Sequence, residues 1–176
     1  MSHKRSSEAG VHFIHQVYGL YRDGTAMSSL FYLSSEAWQS YASRNLIPYK
    51  LWTADEVDTL VQLEAPEWLQ ALYRDVRLAV QRADVARFFI LFKFGGLYAD
   101  LNVFPNLEKF PLVPLGLCKM RPINRKPQWA FDVVVAKAGN ECILKILEDM
   151  STAMALYTKN RKCHAALYTT QLGRCG

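Results

Sequence analysis

The sequence predicts an α/β fold, a sheet of mixed direction flanked by helices, on three observations. Short segments rich in β-branched and aromatic residues alternate with amphipathic segments long enough for helices. Residues that cap helices stand at the head of several of those segments. No internal repeat, low-complexity run or Gly/Ser-rich linker divides the chain. With 176 residues, 51% of them hydrophobic, the chain has material for one core of its own.

After a polar tail at residues 1–10, Val11 to Val17 alternates as a first strand should. Tyr18 to Met27, with Gly19 and Gly24, forms a loop at its carboxyl end. Ser28 or Ser29 then caps a helix to about Arg44, with Leu30, Ala37, Trp38 and Tyr41 on one face. Pro48 to Trp52 is a second strand. Thr53 and Glu56 make the T-x-x-E pattern of a capping box for a helix over Ala54 to Leu63, with Trp52 and Val57 spaced as a hydrophobic staple. Pro66 opens a further helical piece, and Asp75 is expected to cap a long helix to Phe94, stopped by a left-handed Gly95. Leu97 to Ala99, Leu115 to Met120 and Ala130 to Ala136 are read as strands. Asn140 caps a last helix through about Tyr157, leaving residues 158–176 as a basic tail or the incomplete end of a domain over residues 11–157.

The formal charge of +5 suits an anionic ligand without choosing one. Its basic clusters, Lys4-Arg5, Arg121 to Lys126 and Lys159 to Lys162, form no stripe, so nucleic acid is not an expected partner. Cys118, Cys142, Cys163 and Cys175 show no C-x-x-C pair, which argues against zinc and for a reduced compartment. His12, His15 and His164 are expected to be structural. The longest apolar stretch, Val85 to Phe92, is interrupted by Arg87 and falls far short of the ~20 residues that cross a bilayer. The first ten residues lack the apolar core of a secretory signal. The sequence as it stands is therefore expected in the cytoplasm, a Golgi-type location needing an N-terminal anchor outside it.

Chemistry concentrates between Ala83 and Asn102. Asp84 and Arg87, three residues apart on the long helix, share a helical face. Alone, such a pair is commonly a surface bridge contributing under ~1 kcal/mol. The stretch that follows, Gly95-Gly96-Leu97-Tyr98-Ala99-Asp100-Leu101-Asn102, adds two glycines that allow a tight turn and close approach of a ligand, then two oxygen-bearing residues spaced one apart. At the carboxyl end of a strand, where open α/β sheets bind ligands, Asp100 and Asn102 suit a hard divalent cation whose remaining shell comes from water and phosphate. A polar turn with Asx hydrogen bonds is the alternative. No G-x-S-x-G or Cys/His signature suggests acyl transfer.

These residues resemble family 32 of the glycosyltransferases, those with a DXD-containing sugar-binding region, which includes yeast Golgi initiating mannosyltransferases and the glucosyltransferase domains of large clostridial toxins. Phe13-Ile14-His15-Gln16-Val17-Tyr18 resembles the family's I-H-Q-x-W strand, and Tyr49-Lys50-Leu51-Trp52-Thr53 its Y-x-L-W-T/D segment. Ala83-Asp84-Val85-Ala86-Arg87, followed by Gly95 to Val103, resembles S-D-x-x-R followed by G-G-x-Y-x-D-x-D-x. Trp129 to Asn140 is similar to a later strand and turn, with Asp132 where asparagine is frequent. The likeness runs from about Val11 to Met150, four motifs in one order.

The resemblance implies a GT-A-like (Rossmann-like) fold, a UDP- or GDP-hexose donor, Mn²⁺ or Mg²⁺, and transfer with retention of configuration. By the same likeness, Asp84 and Arg87 contact the donor's sugar and phosphates, and Asp100 the ribose or sugar and the metal shell. Asn102 holds the metal, Tyr18 stacks on the base, and Tyr98 and Asp132 belong to the donor-binding set. Asp100 and Arg87 are the residues expected to carry catalysis. Asn102 departs from the family's second aspartate and should weaken metal affinity. The sequence also ends at Thr169 to Gly173, near the family's T-G-P segment, which suggests a C-terminally shortened product. A weak or inactive sugar-nucleotide-binding module and a basic interaction domain are the alternatives to an active enzyme.

Overall fold

The computed structural model describes residues 12–22, 24, 26–106, 116–120 and 128–160. Along the chain run β1 (Ile14–Val17), α1 (Ser29–Arg44), β2 (Tyr49–Trp52), α2 (Ala54–Glu64), α3 (Glu67–Asp75), α4 (Ala79–Phe94), β3 (Gly96–Ala99), β4 (Gly116–Met120), β5 (Gln128–Ala136) and α5 (Glu141–Asn160). The strands form one five-stranded mixed sheet in the order β2-β1-β3-β5-β4. β1 runs parallel to both β2 and β3, while β5 is antiparallel to β3 and β4. The carboxyl ends of β1, β2 and β3 therefore share one edge of the sheet.

Side chains alternate across this sheet as the two-residue period requires. Ile14, Leu97, Ala99, Val133 and Val135 form one buried cluster with Trp38 and Ala42 of α1. Tyr98, Val134 and Ala136 join a second cluster with residues of α2, α3, α4 and α5, Val57, Leu69, Phe88, Phe89 and Ile143 among them. The sheet thus lies between α1 on one face and the other helices on the opposite face, with α4 leading directly into β3.

Local signals explain most of the boundaries. Ser28 accepts from the Phe31 N–H at the head of α1, and Asn140 from the Ile143 N–H at the head of α5. Thr53 and Glu56 form the reciprocal capping box of α2, and Trp52 and Val57 lie in the same buried cluster. His15, buried and neutral, is structural. Its Nε2–H donates to the Gly95 carbonyl at 2.9 Å, and its Nδ1 accepts from the Trp52 indole at 3.2 Å. Burial lowers its pKa to about 4.

Several expectations require correction. β1 begins at Ile14, since Phe13 and His12 are not in the strand. Asp75 does not cap the long helix: it is the last residue of α3, whose buried residues Leu69, Leu72 and Tyr73 continue into Val76. That apolar periodicity outweighs the local capping preference of an aspartate. α4 instead starts at Ala79, where the Leu78 N–H donates to Gln81 Oε1. Leu30 is half exposed, and the buried face of α1 is Ser34, Ser35, Trp38 and Ala42. α5 continues past Tyr157 to Asn160, and β5 begins two residues before Ala130.

Gly95 stops α4 with φ +65° and ψ −165°, a region open essentially to glycine but not the left-handed helical one expected. The backbone itself requires both glycines. A Cβ on Gly95 would lie 2.5 Å from the Ala138 nitrogen, and one on Gly96 would collide with the Phe13 carbonyl. The 1–10 tail, Leu115, the Arg121 to Lys126 cluster, Cys163, His164 and the Thr169 to Gly173 segment lie outside the described residues.

Candidate active site

The site is built where α4 passes the carboxyl ends of the parallel strands. Arg87 projects from α4 into the protein, its side chain only 8% exposed, and collects three oxygens. Its Nη2 lies 3.0 Å from Asp84 Oδ1, one helical turn back. Its Nη1 donates to the Phe131 carbonyl of β5 at 2.7 Å and lies 3.4 Å from Asp100 Oδ2. The guanidinium also sits 5.1 Å from the centre of the Tyr98 ring. One cation therefore joins a helix, the end of β3 and the middle of β5.

Asp100 follows β3 directly. Its backbone N–H donates to the Asp132 carbonyl at 2.7 Å, extending the β3–β5 ladder by one residue. Its Oδ1 accepts from the Tyr98 hydroxyl at 2.8 Å. Asp100 and Asp84 keep 24% and 21% of their side chains exposed, so the carboxylates open to solvent above a more deeply buried arginine.

Electrostatics reflect that crowding. Burial pushes the Asp84 carboxyl up to about 6, with Arg87 pulling it down and Asp100 adding to the rise. Burial likewise raises Asp100, against Arg87 and the Tyr98 hydrogen bond, and the Asp132 carboxylate raises it further. Burial opposes charge on Arg87, yet the neighbouring acidic groups, the Tyr98 phenol and the carboxyls of Asp100, Asp84 and Asp132, more than compensate and raise its pKa. Tyr98 is raised chiefly by complete burial. Three carboxylates face one guanidinium, an excess of negative charge that favours a bound cation.

Asn102 lies in the turn that follows Asp100 and is exposed. Tyr18 follows β1 at the same edge of the sheet, its N–H donating to the Trp52 carbonyl at 2.8 Å. Asp84, Tyr98 and Asp100 thus all meet Arg87 and Asp132 adjoins them, while Tyr18 and Asn102 border the same end. Nη1 and Nη2 of Arg87 meet protein oxygens, while its buried Nε has no hydrogen-bond partner.

Among the described residues, no group of three or more His, Cys, Asp or Glu side chains is arranged to hold a metal ion. The donor set still fits a hard cation. Such ions are commonly held by one or two protein oxygens with water and substrate phosphate completing the shell, and Asp100 and Asn102 are the residues that would hold one.

Gln16, Ser34 and Trp38 were not legible as functional residues. All three are completely buried and donate to the backbone of the Asp100 to Val103 turn. A glutamine next to a histidine in a short strand flanked by Ile14 and Val17 is the signal that was available, since buried polar groups need partners.

Residues 22–115 match the family model described as the glycosyltransferase sugar-binding region containing the DXD motif. The chain belongs to this glycosyltransferase family. The matched span contains Asp84, Arg87, Tyr98, Asp100 and Asn102, and the chain carries Asn102 at the second oxygen position of the family motif. A mannosyl phosphorylinositol ceramide synthase of Saccharomyces cerevisiae, CSH1, is 41% identical over 104 residues, which are 58% of this chain and 26% of that protein. Inositol phosphoceramide mannosyltransferase 3 of Schizosaccharomyces pombe is 38% identical over 65 residues, covering 37% of this chain and 18% of the relative. The chain therefore spans about a quarter or less of the length of these relatives. Among solved structures, the PaToxG glycosyltransferase superposes with a TM-score of 0.54 at 14% identity, over 86% of this chain and 62% of that one. That likeness shows the fold, which is GT-A-like. Among the described residues, no helix is long and apolar enough to cross a membrane.

Proposed function

We propose that the chain transfers a hexose from a nucleotide-sugar donor to an acceptor, with retention of anomeric configuration and the help of Mn²⁺ or Mg²⁺. One observation carries the reading: a buried guanidinium holds two part-exposed carboxylates, Asp84 and Asp100, at the carboxyl edge of parallel strands, where open α/β sheets bind ligands. Asp84 and Asp100 accept hydrogen bonds from hydroxyls of the sugar or ribose. Arg87 and Tyr98 fix the Asp100 carboxylate so that it meets the donor already oriented. Asp132 adds negative charge to the same set, and Tyr18 offers its ring face to the base.

Departure of a nucleoside diphosphate builds negative charge on its β-phosphate. A cation held through Asp100 and Asn102 would neutralise that charge. No basic nucleophile from the protein is needed for this leaving-group assistance. Mannose is the first sugar to test and an inositol phosphoceramide the first acceptor, because the two fungal relatives are named for them.

A second reading, a sugar-nucleotide-binding module of low activity, draws on Asn102, which supplies a neutral oxygen where an aspartate would supply charge. The test is a panel of UDP- and GDP-hexoses with Mn²⁺, followed by NMR of the released or transferred sugar. Transfer with the donor's anomeric configuration supports the enzyme. Binding without turnover supports the module, and inversion contradicts the retaining mechanism.

A further inference from the structure

The turn that bears Asn102 is held from the face of the sheet opposite to Arg87. The Val103 carbonyl accepts two bonds from α1, one from Ser34 Oγ at 2.6 Å and one from Trp38 Nε1 at 2.8 Å. Ser34 and Trp38 are four residues apart and so share one helical face. At the other end of the turn, the Asp100 carbonyl accepts from the Val103 N–H at 3.1 Å and from Gln16 Nε2 at 3.3 Å. Gln16 is itself fixed, since its Oε1 accepts from the Tyr49 hydroxyl at 2.9 Å and Tyr49 is bonded to Ser35 Oγ at 2.7 Å.

The Asp100 side chain has its own anchors, Tyr98 and Arg87, on the opposite face. Asn102 is exposed, so the position of its amide follows from that of the backbone turn. We propose that Gln16, Ser34 and Trp38 are positioning residues that fix the Asp100 to Val103 turn and thereby set where Asn102 presents its oxygen. A neutral amide oxygen binds a hard cation weakly, so its contribution depends on arriving already placed. This also explains Ser34 and Gln16 at fully buried places, where apolar residues would leave the two turn carbonyls short of donors. The part of the proposal that concerns the cation rests on the function proposed above.

Ser34→Ala and Gln16→Met test it with little change of volume, and both leave Tyr49 its bond to Ser35. Trp38→Phe is a third variant, kept secondary because it opens a cavity. Hydrogen exchange followed by mass spectrometry reads the turn directly: the peptide over residues 97–106 should exchange about tenfold faster in the variants, and the peptide over residues 84–94 at the wild-type rate. Unaltered exchange over residues 97–106 overturns the proposal. The Mn²⁺ concentration for half-maximal donor hydrolysis should rise several-fold in Ser34→Ala and return toward wild type in Ser34→Thr, which keeps the hydroxyl. Faster exchange with an unaltered Mn²⁺ requirement overturns the positioning role. A wild-type protein that hydrolyses no donor at any Mn²⁺ concentration contradicts the proposed function instead, and exchange alone then decides whether these residues fix the turn.

Discussion

The Tyr98 hydroxyl donates to Asp100 Oδ1 at 2.8 Å while the Tyr98 ring lies against the guanidinium that holds Asp100 Oδ2. One residue of β3 thus orients both oxygens of the carboxylate that follows it. Tyr98→Phe keeps the ring and removes only the bond. Because that bond favours the ionised form of Asp100, the variant should show a higher pH midpoint for donor binding. Its stability should fall by about 1 kcal/mol, the usual net worth of one hydrogen bond. Calorimetric titration of donor across pH 5 to 8, beside urea denaturation, checks both; an unmoved midpoint would remove Tyr98 from the orientation of Asp100.

Asp84 makes stability depend on pH in a definite direction. Its folded value, about 6, lies above the 3.8 of an unperturbed aspartate, so proton uptake favours the folded state. The contribution is full below about 3.8 and is lost as pH rises through about 6. Asp84→Asn cannot lose it, and between pH 4 and 7.5 the variant should gain about 1 to 3 kcal/mol relative to wild type. Parallel stability curves for the two proteins would show that Asp84 does not titrate in this window.

The glycines separate steric from conformational cost. Gly96 and Gly139 both have positive φ, +97° and +69°, but a Cβ on Gly96 meets the Phe13 carbonyl while one on Gly139 meets nothing within 4 Å. Gly139→Ala should cost on the order of 1 kcal/mol. Gly96→Ala should cost several times that, or prevent folding, since β1 and β3 would have to separate. Chemical denaturation of both variants gives the ranking, and equal costs would contradict it.

Asn102 makes a prediction about charge. Asn102→Asp replaces a neutral oxygen with a carboxylate of nearly the same shape and should strengthen Mn²⁺ binding by about tenfold, because hard cations bind more tightly as ligand charge rises. Calorimetry with Mn²⁺ on both proteins decides it. An equal or weaker affinity in the aspartate variant would take Asn102 out of the metal shell.

Legibility in the sequence followed the range of the interaction. Caps and breaks set by neighbours within four residues, at Ser28, Thr53, Asn140 and Gly95, were readable because their partners are near in the chain. The start of α4 was not, because a continuous buried face through Leu72, Tyr73 and Val76 absorbed Asp75 into α3. Asp84 and Arg87 were visible as a helical pair, but the commitment of Arg87 to Phe131, 44 residues away, was not. The buried bonds of Gln16, Ser34 and Trp38 to the Asp100 to Val103 turn span 65 to 84 residues for Trp38 and Gln16. Contacts that distant in sequence leave no periodic trace.

The most direct measurement compares wild type with Asp100→Asn in a thermal-shift titration against UDP- and GDP-hexoses in the presence of Mn²⁺. The substitution keeps an acceptor for the Tyr98 hydroxyl and removes the charge. Wild type should gain stability with at least one donor, about 2.7 kcal/mol at 100 times its dissociation constant, and Asp100→Asn should lose most of that gain while its ligand-free melting temperature stays close to wild type. No stabilisation of wild type by any donor, or an equal gain in the variant, would contradict a donor site built on Asp84, Arg87 and Asp100.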